Sequence, residues 1–124
     1  MSLRDLYARA DGDYETVMKR FRTEERLRRF VKRFPDDTSC ESFREALGKG
    51  DMETAFREIH VLKGLCMNLG FSRLQKCSST AVELLRPFSE GGEVPAQQSR
   101  DIAAAADDVH SEWVSLKNII MAEI

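Results

Sequence analysis

Residues 51–70 read DMETAFREIHVLKGLCMNLG, and this stretch decides how the rest of the chain is read. Its apolar positions are Met52, Ala55, Ile59, Leu62, Cys66 and Leu69, with gaps that alternate between three and four. That spacing predicts an amphipathic helix, since side chains recur on one face of a helix every three or four residues. With the stripe turned inward, about 100° per residue sends His60 roughly 130° from its centre and Gly64 nearly opposite. His60 therefore lies outside the core, and Lys63 at i+3 and Gly64 at i+4 share its patch. An exposed glycine inside a helix costs about 1 kcal/mol relative to alanine. Close approach of another molecule would favour keeping it, whereas tight helix packing fits poorly with a position opposite the stripe.

The patch thus offers a nucleophile, a positive charge and open space, the layout of a phosphate-carrying histidine. The segment Asp51 to Arg86 resembles a histidine-containing phosphotransfer (HPt) domain, whose pattern is His-x-x-Lys-Gly with a glycine six residues later, here Gly70. The triplet alone would arise by chance in about one chain in a hundred of this length. Its surroundings make it specific: the leading Gly50-Asp51, Leu62, the Asn68-Leu69-Gly70 ending and a second long helix. The resemblance implies a phosphocarrier in a two-component phosphorelay. It has no kinase activity of its own, and its partners are a response-regulator receiver domain and an upstream sensor kinase. The receiver supplies the aspartate and Mg2+, so no cofactor or metal is expected on this chain.

The residues suit that chemistry. Imidazole, with an ordinary pKa of about 6.5, is largely neutral near pH 7 and keeps a free lone pair. A transferring phosphoryl group is loose and electron-rich, and Lys63 can place positive charge beside its equatorial oxygens. Gly64 leaves steric access. A receiver is expected to dock over Phe56, Arg57, Met67 and Asn68, with Phe56 and Met67 close to the meridian of His60 and Arg57 adding positive potential. Phe56 and Met67 packing against neighbouring helices is the competing reading, and Gly70 is expected to end its helix in a left-handed turn. No glycine-rich phosphate loop, acidic cluster for magnesium or catalytic triad is evident elsewhere. The competing function is a helical adaptor that binds a receiver or another helix without carrying phosphate.

At 124 residues and 42% hydrophobic, the chain is expected to be one domain spanning 1–124, and monomeric. Its net charge of -2 argues against generic nucleic-acid binding, although Lys19 to Arg33 is locally basic. Phe21, Phe30 and Phe34 within that run sit at core spacing. The three cysteines, Cys40, Cys66 and Cys77, form no Cys-x-x-Cys pair and fall on apolar stripes, as buried thiols of a reducing compartment do. No signal-like or membrane-length apolar run occurs, so a cytoplasmic address is expected. His110, without the lysine and glycine that accompany His60, reads as structural, and neither histidine has metal-ligand spacing.

Cap and turn signals divide the chain into helices only, predicting an all-α antiparallel up-down four-helix bundle with short N-terminal lid helices. Residues 1–34 hold the lid and a first long helix, and 38–122 the remaining bundle helices. Ser2 to Arg9 and a helix capped by Asp13 form the lid. A helix from Glu24 stops near Pro35. Thr38 with Glu41 and Ser72 with Gln75 read as capping boxes, and Asp51 as the cap of the His60 helix. The helix after Ser72 shows the stripe Leu74, Cys77, Ala81, Leu84 and Phe88. The last helix, from about Ala96, shows Ile102, Ala106, Val109, Trp113, Leu116 and Ile120, with Trp113 a core anchor.

Overall fold

The computed structural model describes residues 2–124. Among the described residues the chain forms seven α-helices and no strand. They are α1 (Leu3–Arg9), α2 (Tyr14–Phe21), α3 (Glu24–Arg33), α4 (Ser39–Gly48), α5 (Met52–Leu69), α6 (Ser72–Leu85) and α7 (Ala96–Glu123). Short 3-10 turns at Phe34–Asp36 and Arg86–Phe88 follow α3 and α6 and carry Pro35 and Pro87.

Helix starts follow side-chain chemistry. Asp13 accepts a hydrogen bond from the Thr16 amide, Thr23 from that of Arg26 and Asp51 from that of Thr54, each satisfying an otherwise orphaned helix donor. Two expected capping boxes do not form. Thr38 makes no cap bond, and Asp37 Oδ2 instead accepts from the Ser39 amide at 2.9 Å. Ser72 is already the first helical residue of α6, because the buried Phe71 occupies the cap position. The Phe71 ring stacks on Tyr7 with centroids 5.4 Å apart and meets Phe34 at 5.1 Å, and this packing fixes where the chain turns.

The long helices pack in sequence order, α4 along α5, α5 along α6 and α6 along α7, and α4 also touches α7. Ala55, Ile59, Leu62 and Cys66 of α5 are fully buried at the centre. The α3 segment, expected as a first long bundle helix, is no longer than α4, at 10 residues each. It packs chiefly with α2 and touches α5 and α7 lightly. Phe30, expected in the core, is 43% exposed and rests against Phe21. Leu27, Val31 and Phe34 take the inward side of α3 and leave Phe30 on its flank. On α6 the buried face is Leu74, Ser78, Ala81, Val82 and Leu85, while Cys77, Leu84 and Phe88 are only partly covered. Lying between α5 and α7, α6 buries a broader face than one stripe, displaced by about one position. The α7 stripe, Trp113 included, is buried as expected.

The N-terminal helices close one end of the α5–α6 pair. Tyr7 donates its hydroxyl proton to the Leu69 carbonyl at 2.6 Å, the Asp13 amide donates to the Gly70 carbonyl at 2.9 Å, and Arg20 Nη1 donates to the Met67 carbonyl at 3.1 Å. These acceptors belong to the last turn and cap of α5, where helix carbonyls lack intrahelical partners. Gly70 ends α5 with φ 70 and ψ 27, the left-handed turn expected of it.

Candidate functional site

The inward stripe of α5 fixes where its outer face points. His60 is exposed, although Ile59 beside it and Leu62 two residues on are fully buried. A Cβ built on Gly64 would meet nothing within 4 Å, so the space beside the histidine is open. Lys63 is half-buried and, among the described residues, makes no ion pair.

Around these three, α5 presents a mixed surface. Phe56 is half-buried with its ring centroid 5.9 Å from that of His60, and Met67 is 49% exposed. Asn68 is exposed, and Arg57 reaches back along the helix to Thr54 Oγ1 at 3.3 Å. Thr54 also holds the Asp51 carboxyl below the usual carboxylate range, through its hydroxyl first and its amide second. Phe56, Arg57, His60, Lys63, Gly64, Met67 and Asn68 therefore all lie on α5, with Gly70 capping its end, and Arg57 is the one drawn toward the helix start.

Sequence reasoning missed several neighbours. Val61, next to His60, is a further exposed apolar side chain at 46%. Arg20 and Thr16 of α2 form one wall of an open depression of about 540 Å3, with Gly64, Met67 and Asn68 on another and Gln75 of α6 across from them. Arg86 places its guanidinium over the Phe56 ring, 5.6 Å from the centroid, and binds Glu83. The Glu83–Arg86 spacing was visible as an i, i+3 pair; its position over Phe56 depends on how α6 lies on α5 and has no local signal. His110 is half-buried with Arg44 Nη1 at 3.2 Å from its Nδ1, consistent with a structural role.

Burial pushes the Cys40 thiol up to about 11, and raises those of Cys66 and Cys77 as well. Among the described residues there is no group of three His, Cys, Asp or Glu side chains placed to hold a metal ion. No helix among them is long and apolar enough to cross a membrane.

The Hpt domain family model matches residues 27–112, from within α3 to within α7. Comparison with curated proteins and with solved structures gave no match. The family match covers well over half of the chain and takes in the whole His60 helix, so the chain belongs to the Hpt domain family. Members of this family serve histidine phosphotransfer in phosphorelays, where they interact with receiver domains and kinases as phosphocarriers.

Proposed function

We propose that this chain carries a phosphoryl group on His60, exchanging it with the aspartate of a response-regulator receiver domain. The observation that carries the reading is an exposed imidazole one turn from both an unpaired ammonium, Lys63, and an open position, Gly64. Neutral His60 attacks the phosphorus of the receiver's aspartyl phosphate. A P–N bond forms as the P–O bond breaks, and the bonding electron pair leaves with the aspartate carboxylate. The ring keeps the proton on its other nitrogen, so the product is a phosphoimidazolium and no base is needed. Lys63 offsets negative charge on the equatorial oxygens.

Phe56, Met67 and Asn68 form the docking surface with Arg57 at its edge, and Gly64 admits the receiver's loop. The receiver supplies Mg2+; this chain binds no cofactor or metal. Residues 1–124 form one Hpt unit, with α4–α7 as an antiparallel up-down four-helix bundle and α1–α2 as its lid. Three free thiols, two of them buried, fit a cytoplasmic setting. The unit works as a monomer and binds neither nucleic acid nor membrane.

The test is intact-mass and acid-lability analysis after mixing with a phosphorylated receiver domain, for wild type, His60→Gln and Lys63→Ala. One acid-labile phosphoryl group in wild type, none in His60→Gln and slowed uptake in Lys63→Ala are expected. Receiver binding without uptake by wild type would replace this reading with the adaptor, for which the exposed Val61 and Met67 would serve equally well.

A further inference from the structure

The open depression beside Gly64 carries a charge that the chemistry at His60 does not use. Arg20, exposed near the end of α2, donates from Nη1 to two carbonyls in the last turn of α5, that of Met67 at 3.1 Å and that of Asn68 at 2.5 Å. Carbonyls at that end of a helix have no intrahelical partner, so the bonds cost α5 nothing. They moor the guanidinium through neutral groups. No carboxylate offsets its charge: among the described residues Arg20 makes no ion pair.

What remains of Arg20 is its side-on edge. Nε and Nη2 are adjacent in the planar guanidinium, and among the described residues neither makes a hydrogen bond. Arg86 shows what this edge can hold, since it gives the same two nitrogens to both oxygens of Glu83 at 3.2 and 3.0 Å. A fork of that shape matches a carboxylate through two parallel bonds. With Nη1 anchored beforehand, less side-chain freedom is lost when the edge is filled.

The surroundings are mostly polar and unspent. Thr16, Asn68 and Gln75 line the same depression, and among the described residues their side chains make no hydrogen bond. The one carboxylate in the lining, that of Asp13, stands at the opposite end of α2, about 10 Å along the helix from Arg20. One of its oxygens is already taken by the Thr16 amide at 3.2 Å. Gly64, Met67 and Asn68 belong both to this depression and to the surface on which the receiver is proposed to dock. A loop admitted at Gly64 therefore runs beside Arg20.

We propose that Arg20 is a specificity-determining residue of the docking surface: its free edge takes an aspartate or glutamate side chain from a loop of the receiver domain that enters the depression between α2 and α5. The inference rests on the phosphocarrier reading and names what the partner must bring to it. Arg20 has no part in the chemistry at His60; it selects receivers that carry the acid.

The test compares wild type, Arg20→Met and Thr16→Trp, with folding checked by circular dichroism and thermal unfolding. Methionine keeps an unbranched stem and removes the fork, while tryptophan fills the depression from an exposed helix position and leaves Arg20 in place. Two donors are used. Potassium phosphoramidate needs no docking surface, its P–N bond breaking with loss of ammonia as the His60 P–N bond forms; a panel of phosphorylated receiver domains needs the whole surface. Uptake is followed by intact mass and acid lability. With a receiver that loads wild type, both variants are expected to raise the half-saturating receiver concentration about tenfold, the scale of one charge-assisted contact at an interface, and to change the maximal rate and phosphoramidate loading less than about twofold. Added sodium chloride is expected to weaken wild type more than Arg20→Met. Changing the carboxylates of the receiver's loops outside its phosphate site to amides, one at a time, is expected to find one whose loss costs wild type about tenfold and Arg20→Met almost nothing.

Wild type that gains no acid-labile phosphate on His60 from either donor overturns the phosphocarrier reading and this inference together. Loading from phosphoramidate but from no receiver in the panel overturns receiver docking, this inference included, and leaves His60 a phosphate acceptor. Wild type loaded by receivers, with Arg20→Met unchanged in half-saturation, slowed equally with phosphoramidate, or as sensitive as wild type to every receiver acid, overturns the role of Arg20 alone.

Discussion

Gly64 and Gly70 end up six residues apart with opposite physical reasons for being glycine, so one substitution at each should move stability in opposite directions. At Gly64 an alanine Cβ would meet nothing within 4 Å, and the residue lies inside α5. Alanine there should stabilise by about 0.5–1 kcal/mol, from helix propensity and a less flexible unfolded chain. For a domain of this size that is a rise of roughly 2–5 °C in Tm. At Gly70, φ is 70° and a Cβ would fall against Val17 Cγ2, with the Asp13 carbonyl oxygen 3.1 Å away. Left-handed strain of about 1–2 kcal/mol plus overpacking gives an expected loss of roughly 2–4 kcal/mol for Gly70→Ala. Thermal and urea unfolding followed by far-UV circular dichroism measure both. Gly64→Gln completes the argument: the helix should stay at least as stable, while transfer from a receiver falls about tenfold because a side chain occupies the docking space. A destabilised Gly64→Ala would refute the open-space reading, and a Gly64→Gln that transfers at the wild-type rate would refute the need for that space.

Three further outcomes follow from the geometry. Tyr7→Phe removes the 2.6 Å bond to the Leu69 carbonyl in a buried setting and should lower the urea midpoint by the equivalent of about 1–2 kcal/mol; an unchanged midpoint would mean that the carbonyl finds another donor. Alkylation kinetics with peptide mapping should show Cys77, the half-buried thiol, reacting first at pH 8, with Cys40 and Cys66 protected until the protein unfolds. Equal labelling of all three would contradict the packing of α4 on α5. The Asp51 carboxyl titrates below its ordinary value when folded, so its capping contribution is complete above about pH 4 and fades as pH falls through the lower folded value. Asp51→Asn, which caps without titrating, should flatten this acid decline in urea midpoints, and identical pH profiles for the two proteins would remove Asp51 as its source.

The helix carrying the site was legible because one strong stripe, Ala55, Ile59, Leu62, Cys66 and Leu69, fixes the orientation of the whole of α5 and hence of His60. Its ends were legible too, since Asp51 and Gly70 act through their own side chain or its absence. The capping contacts at the starts of α4 and α6 were not, although Thr38 does hold the cap position of α4. There Asp37 and Phe71 outcompeted the hydroxyls of Thr38 and Ser72, in the second case because an aromatic cluster with Tyr7 and Phe34 sets the path of the chain. The α6 stripe was displaced for a related reason: a helix packed on two sides buries small residues such as Ser78 that no hydropathy pattern marks. Arg20 and Arg86 read from sequence as two of many surface arginines, and only the folding of α2 and of the α6 end against α5 brings them to the site.

The way α1 and α2 are fastened to the end of α5 separates two boundaries that are easily equated. Homology begins at residue 27, yet the carbonyls of Met67, Leu69 and Gly70 find their donors in Arg20, Tyr7 and Asp13, all upstream of it. A fragment trimmed to 27–112 would strip those donors, uncover the Tyr7 side of Phe71 and lose Trp113, Leu116 and Ile120 from α7. The last turn of α5, one turn beyond Gly64, would then fray at lower cost than the rest of the helix. The family match takes in the whole His60 helix, but the contacts that hold the end of that helix lie beyond the matched residues.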